Sequence, residues 1–505
     1  MTLLRIFSFF DASKLKKIFL SCTFEMENNF MNSKKSITIK DLVSPKGHFL
    51  WGHLPQFNTH NKHQVLERWV EECGDLFKIN FVGKVFVVSA KPSINNTILR
   101  LRPEKFRRFS KIDEILKEMG VYGVFNAEGD HWKRHRKPIA EALNMQHVKA
   151  YYTIILDRTL GLLEKFKTYS KENKAIDVQK EFMLFTIDIT TEIAFGHKLD
   201  TINNNDNNFQ KHLEVIFPMI NERITAPIPI WRFKKRKKDI VLQKSLKAIE
   251  KIIYEVIDES KKRIKNNPEL KTQPSNFLEA LLLANENNVF NDDEVYGNIF
   301  TMLLAGEDTT SNSISWTLFY LSQHPDIVNK IRDEANAVYS NDDALTTFEK
   351  LSELKYTNAV VQEAIRLKPT TPQLYFEANE DVEIEGLFIP KKTNVILQNK
   401  VAQTKEAYFT NANAFEPERW LDSACPMHKN HSPQVIKAFG GGPRYCPGMH
   451  LAITEMIILI ATLCKHFNFK LAVKPEAIIE QFEFTMYPKN LLVEFINIKS
   501  KTNSI

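Results

Sequence analysis

The sequence has few cysteines and no stretch of apolar residues long enough to suggest a membrane span. Its 505 residues include five cysteines, and none of them forms a C-x-x-C pair. An odd number at wide spacing indicates a reducing compartment and argues against a disulfide framework. A spanning helix needs roughly 20 consecutive apolar residues. We therefore expect a soluble, cytoplasmic protein with at most peripheral contact with a membrane.

The N-terminal segment also lacks any recognisable signal. Charged side chains interrupt the apolar clusters between Met1 and Phe24, so this part resembles neither a cleavable signal nor an anchor helix. Residues 1–44 are predicted to be an extension of uncertain order, and residues 45–505 to form one domain.

Charge of either sign is not in large excess. The 68 Lys and Arg residues against 61 Asp and Glu residues give a net charge of +7. This excess is too diffuse to indicate nucleic acid, and it fits an acidic protein partner or an anionic surface. Helical patterns dominate, strand patterns form two small clusters, and no composition break divides the chain. We expect a mainly α monomer with small β-sheets.

The most informative segment is a glycine-rich loop with a single cysteine, Phe439–Gly448. The apolar stretch Met449–Phe467 follows and is typical of a helix, with Pro447 suited to its first position. Cys446 would then lie at a helix N-terminus, where free N–H groups and the helix dipole favour a thiolate. Such a thiolate could ligate a haem iron. An ordinary buried cysteine before a helix is the alternative. Arg444 adds a fixed positive fork.

Five positions of this loop fit the pattern F-x-x-G-x-R-x-C-x-G: Phe439, Gly442, Arg444, Cys446 and Gly448. The pattern resembles the haem-binding loop of the cytochrome P-450 family. The resemblance implies haem b, iron protoporphyrin IX, as cofactor. It implies Cys446 as the iron ligand, with Phe439 and Arg444 among the residues that bind the cofactor. It also implies a single triangular-prism domain, mainly α with small β-sheets.

A second motif, Ala305–Thr310, reads A-G-E-D-T-T and lies inside the helical run Asn298–Gln323. Glycine costs roughly 1 kcal/mol against alanine in a helix, and the neighbouring hydroxyl side chains compete for backbone hydrogen bonds. The residues alone leave open a break between two helices, with Asp308 as an N-cap, or a local opening above a haem. The run resembles the family's oxygen-activation motif. That resemblance implies catalytic roles for Asp308 and Thr309, with Ala305 against the haem.

Two further pairs complete the resemblance. Glu363 and Arg366 form E-x-x-R, and Arg419 lies in F-x-P-x-R downstream. Residues three apart share a helix face, but such a pair alone is weak evidence. In the family these three residues form a buried network behind the cysteine loop.

Trp132 and Arg136 are four residues apart and lie on the same face of a helix. The family's equivalent pair donates hydrogen bonds to a haem propionate.

One departure from the family pattern concerns a third propionate contact. The family often has an arginine shortly before the acidic strand that follows E-x-x-R. Phe376 occupies that place here. The third propionate contact is therefore left without an assigned residue.

The helix that carries Trp132 has a basic side as well. Lys133, Arg134 and Lys137 lie on another sector of it, which is either a solvated face or a docking face for an acidic redox protein. No flavin or iron–sulfur segment is expected after the haem domain. Electrons from NAD(P)H would then come through a separate ferredoxin, flavodoxin or flavoprotein reductase.

The resemblance implies a monooxygenase that inserts one oxygen atom from O2 into an apolar organic molecule, such as a lipid or terpenoid. The alternatives are a peroxide-using or rearranging haem-thiolate enzyme and a haem-based sensor or carrier without turnover. The acid–threonine pair favours the monooxygenase. The expected pocket residues are Met302, Leu304 and Ala305, with Thr371 and Leu374 opposite. The sequence does not identify the substrate.

Overall fold

Helices form most of the protein, as the spacing of its apolar residues predicts. The computed structural model describes residues 36–57, 61–196, 198, 202, 208–286, 290–421 and 430–498. The α-helices of these ranges are α1 (Leu54–Phe57), α2 (Lys62–Cys73), α3 (Pro92–Arg100), α4 (Ser110–Glu118), α5 (Gly129–Ala142), α6 (Met145–Ala150), α7 (Tyr152–Lys171), α8 (Val178–Phe195), α9 (Asn208–Thr225), α10 (Ile230–Phe233), α11 (Lys237–Asn266), α12 (Phe277–Glu286), α13 (Asp292–Leu321), α14 (Pro325–Tyr339), α15 (Lys355–Leu367), α16 (Asn399–Gln403) and α17 (Met449–His466).

The strands are short and form small sheets. They are β1 (Ile37–Thr38), β2 (Leu76–Phe81), β3 (Lys84–Ser89), β4 (Phe106–Arg108), β5 (Ala175–Asp177), β6 (Gln373–Ala378), β7 (Val382–Ile384), β8 (Leu387–Ile389), β9 (Asn394–Gln398), β10 (Phe467–Leu471), β11 (Ile479–Phe482), β12 (Met486–Lys489) and β13 (Leu492–Asn497). The largest sheet has the order β2-β3-β9-β6-β4. Two three-stranded sheets, β1-β8-β7 and β10-β13-β5, and the hairpin β11-β12 complete the set. The predicted mainly α architecture with small sheets is confirmed.

Part of the predicted N-terminal extension packs on the domain. Strand β1 pairs in parallel with β8, through Ile37 opposite Leu387 and Thr38 opposite Phe388. Leu42 is buried in the same core as these strands. Residues 1–35 lie outside the described residues.

Helix α13 runs through the core and is continuous over its 30 residues. Asn291 caps its N-terminus, because its side chain accepts a hydrogen bond from the N–H of Glu294 while the Glu294 carboxylate accepts from the N–H of Asn291. No interruption occurs at the Ala305–Thr310 motif. The interpretation of this motif as a helix break with Asp308 as N-cap is therefore wrong.

Close packing explains the glycine in that motif. A Cβ atom on Gly306 would lie 2.4 Å from Oγ1 of Thr190 in α8. The small residue lets α13 approach α8 more closely than any larger side chain would permit. Gly306 therefore serves the contact between two core helices, while the backbone around it stays helical.

The segment between α4 and α5 also packs closely against α13, because glycine residues lie at the contact. A Cβ on Gly297 would meet backbone atoms of Tyr122 at 2.4 Å, and one on Gly123 would meet the Gly297 carbonyl oxygen at 2.4 Å. The N–H of Val124 donates to Oδ1 of Asn298 over 2.7 Å. Backbone thus meets backbone without side chains between them.

A buried charged network joins α15 to the irregular chain after α16. Arg366 donates from Nε to Oε2 of Glu363 at 2.8 Å and from Nη2 to Oε1 at 2.7 Å. Arg419 donates from Nε to Oε1 of Glu363 at 3.0 Å, and Trp420 donates from Nε1 to Oε2 at 2.9 Å. Glu363 and both arginine side chains are 0% exposed. The predicted buried network of these three residues is present.

The two arginines also donate hydrogen bonds to backbone carbonyl groups at the end of α16 and in the irregular chain after it. Arg366 donates from Nη1 to the carbonyls of Gln403 and Ala412, and Arg419 donates from Nη1 to the carbonyl of Thr410. Burial raises the pKa of Glu363, but its hydrogen bonds and ion pairs with Arg366 and Arg419 outweigh that effect and hold the pKa below its ordinary value. The carboxylate is therefore charged throughout the neutral range.

We expect Glu363→Gln to lower the free energy of unfolding by about 3–5 kcal/mol, because two buried arginines lose their counter-ion. A depressed folded pKa stabilises the protein above the unfolded pKa of about 4.3, and this contribution disappears as the pH falls. The variant should thus be less stable at pH 7 and should lose less stability on acidification. Urea unfolding at both pH values measures this. The exposed Glu353 gives the control Glu353→Gln. Equal stability of the two variants would contradict the role of the network.

Candidate active site

One large cavity of about 1130 Å³ lies in the core. The structure brings together around it the predicted residues Trp132, Arg136, Ala305, Thr309, Phe439, Arg444 and Cys446, and the predicted pocket residues Met302, Leu304, Thr371 and Leu374. Asp308 is not among the lining residues. Residues from distant parts of the sequence, including a lone cysteine and a threonine of the central helix, therefore share one enclosed space.

The cysteine loop folds back on itself just before α17. The N–H of Cys446 donates to the carbonyl of Phe439 at 2.9 Å, and the N–H of Tyr445 donates to the carbonyl of Gly442 at 3.2 Å. Helix α17 begins at Met449 with Gly448 as N-cap. Pro447 therefore precedes the N-cap, and its predicted place at the first helical position is wrong. Cys446 lies two residues before the N-cap.

Two glycines of this loop adopt left-handed backbone angles. Gly440 has φ +74° and Gly442 has φ +64°, a region that side chains with a Cβ disfavour. A Cβ on Gly442 would also lie 2.2 Å from the carbonyl oxygen of Leu99. Glycine is therefore required at position 442 by both conformation and space, and the contact anchors the loop to the end of α3.

Burial changes the expected ionisation of the cysteine. It raises the pKa of the Cys446 thiol above its ordinary value, while a hydrogen bond from the backbone of Gly448 and the charge of Arg136 lower it less. Burial therefore opposes the thiolate, whereas the nearby N–H group and Arg136 favour it. Desolvation outweighs the nearby N–H group. A cation at the sulfur would stabilise the anion.

Arg136 and Arg444 both line the cavity together with Cys446. The guanidinium of Arg136 lies 4.7 Å from the ring centre of Tyr445, and its buried Nη2 has no hydrogen-bond partner in the described ranges. Arg444 forms an ion pair with Glu128 at 2.6 Å and lies over the ring of Trp132 at 5.2 Å. Among the described residues, Arg136 thus keeps one donor free, whereas Nη2 of Arg444 donates to the carbonyl of Ala127 at 2.9 Å.

Two arginines that sequence reasoning missed also line the cavity. Arg108 is the last residue of β4. It donates from Nε to the carbonyl of Phe125 at 3.0 Å, and its guanidinium lies 3.8 Å from the Phe125 ring centre. Burial and the charge of Arg444 lower the pKa of Arg108 to about 9, against the opposing charge of Glu128. Arg102 is the other and is 3% exposed. No sequence pattern marks either residue, since both lie in a stretch rich in basic side chains.

The central helix presents Thr309 and Ala305 to the cavity. The hydroxyl of Thr309 donates to the carbonyl of Ala305 at 2.7 Å. This bond lies within an unbroken helix, so the predicted local opening is not present in the structure. The hydroxyl oxygen keeps its acceptor sites for a group within the cavity.

Asp308 does not line the cavity, and its carboxyl group is held by the β11-β12 turn. The hydroxyl of Thr485 donates to Oδ2 of Asp308 at 3.1 Å. Burial raises the pKa of Asp308 to about 6; the bond from Thr485 opposes the rise and the charge of Glu483 adds to it. Its neighbour Glu307 has a pKa raised to about 8 by burial and by Asp308, against a hydrogen bond from Gln210. Asp308 can therefore gain or lose a proton near neutral pH.

The outward side of α5 is basic but mostly paired. Arg134 forms an ion pair with the buried Glu294. Lys133 lies 3.6 Å from Glu104, and Lys137 lies 4.0 Å from Glu141. Both lysines remain exposed, and docking of a redox protein on them stays a prediction.

Comparison with known proteins decides the family. The family model for cytochrome P-450 matches residues 43–495. The chain belongs to the cytochrome P-450 family.

Its curated relatives are distant in sequence. LUTEIN DEFICIENT 5, a chloroplastic protein of Arabidopsis thaliana, is 28% identical over 79% of this chain and 68% of its own length. Tabersonine 16-hydroxylase 2 of Catharanthus roseus is 27% identical over 86% of each chain. The bifunctional cytochrome P-450/NADPH–P-450 reductase 2 of Bacillus subtilis (strain 168) is 25% identical over 91% of this chain but 44% of its own length. As a P-450, this protein is a haem-containing monooxygenase that uses O2.

The residues of the cavity fit the haem of a P-450. Cys446 is a free cysteine that lines the cavity, and Arg102 and Arg136 hold buried nitrogen atoms without partners at the same cavity. A thiol that needs a cation and guanidinium groups that need anions match an iron porphyrin with two propionates.

Within the part of the chain that the structure describes, one helix passes the length and composition test for a membrane span. Helix α17, Met449–His466, has a mean hydropathy of 1.3, which corrects the expectation that no segment would qualify. Its window is 67% buried inside the protein. It therefore packs as the core helix behind the cysteine loop.

The loop provides a matched pair of glycine substitutions. Gly440→Ala should cost about 1–2 kcal/mol through backbone strain alone, because a Cβ there has its nearest neighbour at 3.9 Å. Gly442→Ala carries the same strain and the clash with Leu99, so it should destabilise more and lower the haem content of the purified protein. Urea unfolding and haem absorbance per protein measure both effects. Equal losses in the two variants would show that the Leu99 contact is unimportant.

Proposed function

We propose that this P-450 inserts one oxygen atom from O2 into an apolar organic substrate, with electrons from NAD(P)H delivered by a separate redox protein and Cys446 as the axial ligand of the iron. The observation that carries the proposal is the meeting of Cys446 and Thr309 in one cavity. Apolar side chains such as Ile112, Leu374 and Phe484 line it as well. Small-molecule sites have this composition of apolar walls with few polar groups.

The haem supplies the redox chemistry, and a thiolate ligand favours O–O cleavage. The protein supplies position and protons. Thr309 offers a hydroxyl that can hold a water molecule or a proton on the cavity side of α13. Asp308, with a pKa of about 6, can carry protons from solvent toward that hydroxyl. The bond from Thr485 keeps its carboxyl group in one orientation.

The proposed source of electrons rests on the family and on one relative. The Bacillus subtilis protein is named for both a cytochrome P-450 and an NADPH–P-450 reductase. A reductase of that kind, as a separate protein, is the donor we propose for this chain. A ferredoxin or flavodoxin is the other class to supply in the assay.

The ligation prediction uses the two cysteines near α17. The reduced, CO-bound protein should show the strongly red-shifted haem band of thiolate ligation, and Cys446→His should abolish it, because imidazole replaces sulfur at the iron. Cys464 lies buried within the same helix, so Cys464→Ala should keep the band. An unchanged band in Cys446→His would disprove the assignment of the ligand.

The proton-delivery prediction compares three side chains of α13. Thr309→Ala should consume NAD(P)H at a similar rate but release most electrons as hydrogen peroxide, because protons are no longer delivered at the right place. Asp308→Asn should slow the whole cycle by about 100-fold, a typical contribution of a positioned acid. Thr317 makes the same type of bond, from its hydroxyl to the carbonyl of Ser313 at 2.8 Å, outside the cavity lining.

Product, hydrogen peroxide and NAD(P)H consumption are measured together with an added reductase, and Thr317→Ala should remain coupled. Full coupling in Thr309→Ala would remove this residue from the mechanism. Replacing NAD(P)H and reductase by hydrogen peroxide tests the peroxide-using alternative. Absence of any product from a panel of apolar compounds that shift the haem spectrum would favour a sensor or carrier.

A further inference from the structure

Arg102 is a buried cation without a hydrogen-bond partner at two of its nitrogen atoms. It follows α3 and is 3% exposed. Its Nε and Nη2 are buried and have no partner among the residues that the structure describes. The side chain lines the cavity that contains Cys446. Buried guanidinium groups are ordinarily paired, so this one calls for an anion that the protein itself does not provide.

The guanidinium lies against the residue at which this chain departs from its family. Its central carbon is 4.3 Å from the ring centre of Phe376. Phe376 is 1% exposed and stands on β6, where it pairs with Arg108 of β4. The guanidinium of Arg102 thus stacks on the ring of Phe376, an arrangement that arginine side chains often adopt. A positive group therefore occupies the surroundings of position 376, although the chain has no arginine at that position.

Neighbouring charges strengthen the need for an anion. Burial lowers the pKa of Arg102 well below its ordinary value, the charges of Arg108 and Arg444 lower it further, and only Glu128 raises it. Glu128 is already engaged, since it accepts from the N–H of Arg108 at 2.8 Å and pairs with Arg444 at 2.6 Å. One carboxylate among these arginines leaves the edge of the cavity with excess positive charge.

We propose that Arg102 binds a propionate of the haem and supplies the contact that Phe376 cannot make. The proposal rests on the proposed function above, because it needs haem in this cavity. The family's arginine is absent from β6, where Phe376 stands instead. Arg102 comes from a different part of the chain, stacks on Phe376 and makes the contact of the absent arginine. Packing on Phe376 alone is the competing role.

The substitution Arg102→Met separates the two roles, because methionine keeps an apolar stem against the ring and removes the charge. Loss of haem from the ferric protein to excess apomyoglobin should be roughly tenfold to a hundredfold faster in Arg102→Met, as expected for one charge-assisted hydrogen bond. Arg102→Lys, which keeps the charge but not the planar fork, should fall between. Arg100 is exposed, and Arg100→Met should match the wild type. Wild-type retention in Arg102→Met would overturn the proposal.

Haem dimethyl ester gives the decisive comparison, since its propionates carry no charge. The difference in retention between the wild type and Arg102→Met should shrink to about twofold or less with the ester. An undiminished difference would show that Arg102 acts by packing. If Arg102→Met retains neither haem, Arg102→Lys decides: recovered retention supports the proposal, and equal failure overturns it. The red-shifted CO band in Arg102→Lys shows that ligation by Cys446 is intact, whereas its absence from the wild type would count against the proposed function instead.

Discussion

The buried carboxylate of Glu363 is the interaction on which the rest of the structure depends. It compensates the charges of Arg366 and Arg419 inside the core, and those two side chains bind the carbonyls of irregular chain around Thr410 and Ala412. Removing the carboxylate or the arginines would leave the remaining charge buried and unpaired. The free energy lost in that way is larger than the net contribution of the ion pair. The irregular chain around Thr410 and Ala412 is therefore held to α15 by residues that lie far apart in the sequence.

At the cavity, in contrast, the buried charges are not balanced by the protein. Around Glu363 opposite charges are paired. Arg102 and Arg136, in contrast, have buried nitrogen atoms without hydrogen-bond partners among the described residues, and Glu128 is shared by Arg108 and Arg444. A folded protein rarely leaves such groups unsatisfied. The imbalance is therefore a property of a site that is completed by an anionic cofactor, and it locates the edge of the cavity at which the acidic groups of the haem belong.

Residues with fixed local spacing could be predicted from the sequence, and residues brought together by tertiary packing could not. The loop around Cys446 and the pair of Glu363 and Arg366 were recognisable, because each motif lies within a few residues or on one helix turn. Arg419, which is 56 residues from Glu363, was joined to them only by the family resemblance. Arg102 was missed, since its role depends on stacking against Phe376, far away in sequence. The burial of Cys446, which raises the pKa of its thiol, is likewise a tertiary effect that no local pattern reports.

The segment between α4 and α5 contacts both α13 and the cysteine loop. The N–H of Val124 holds Asn298 of α13, and three residues later the carbonyl of Ala127 accepts a hydrogen bond from Arg444 at 2.9 Å. The same short segment therefore fixes both the position of α13 and the position of Arg444, which lies two residues before Cys446.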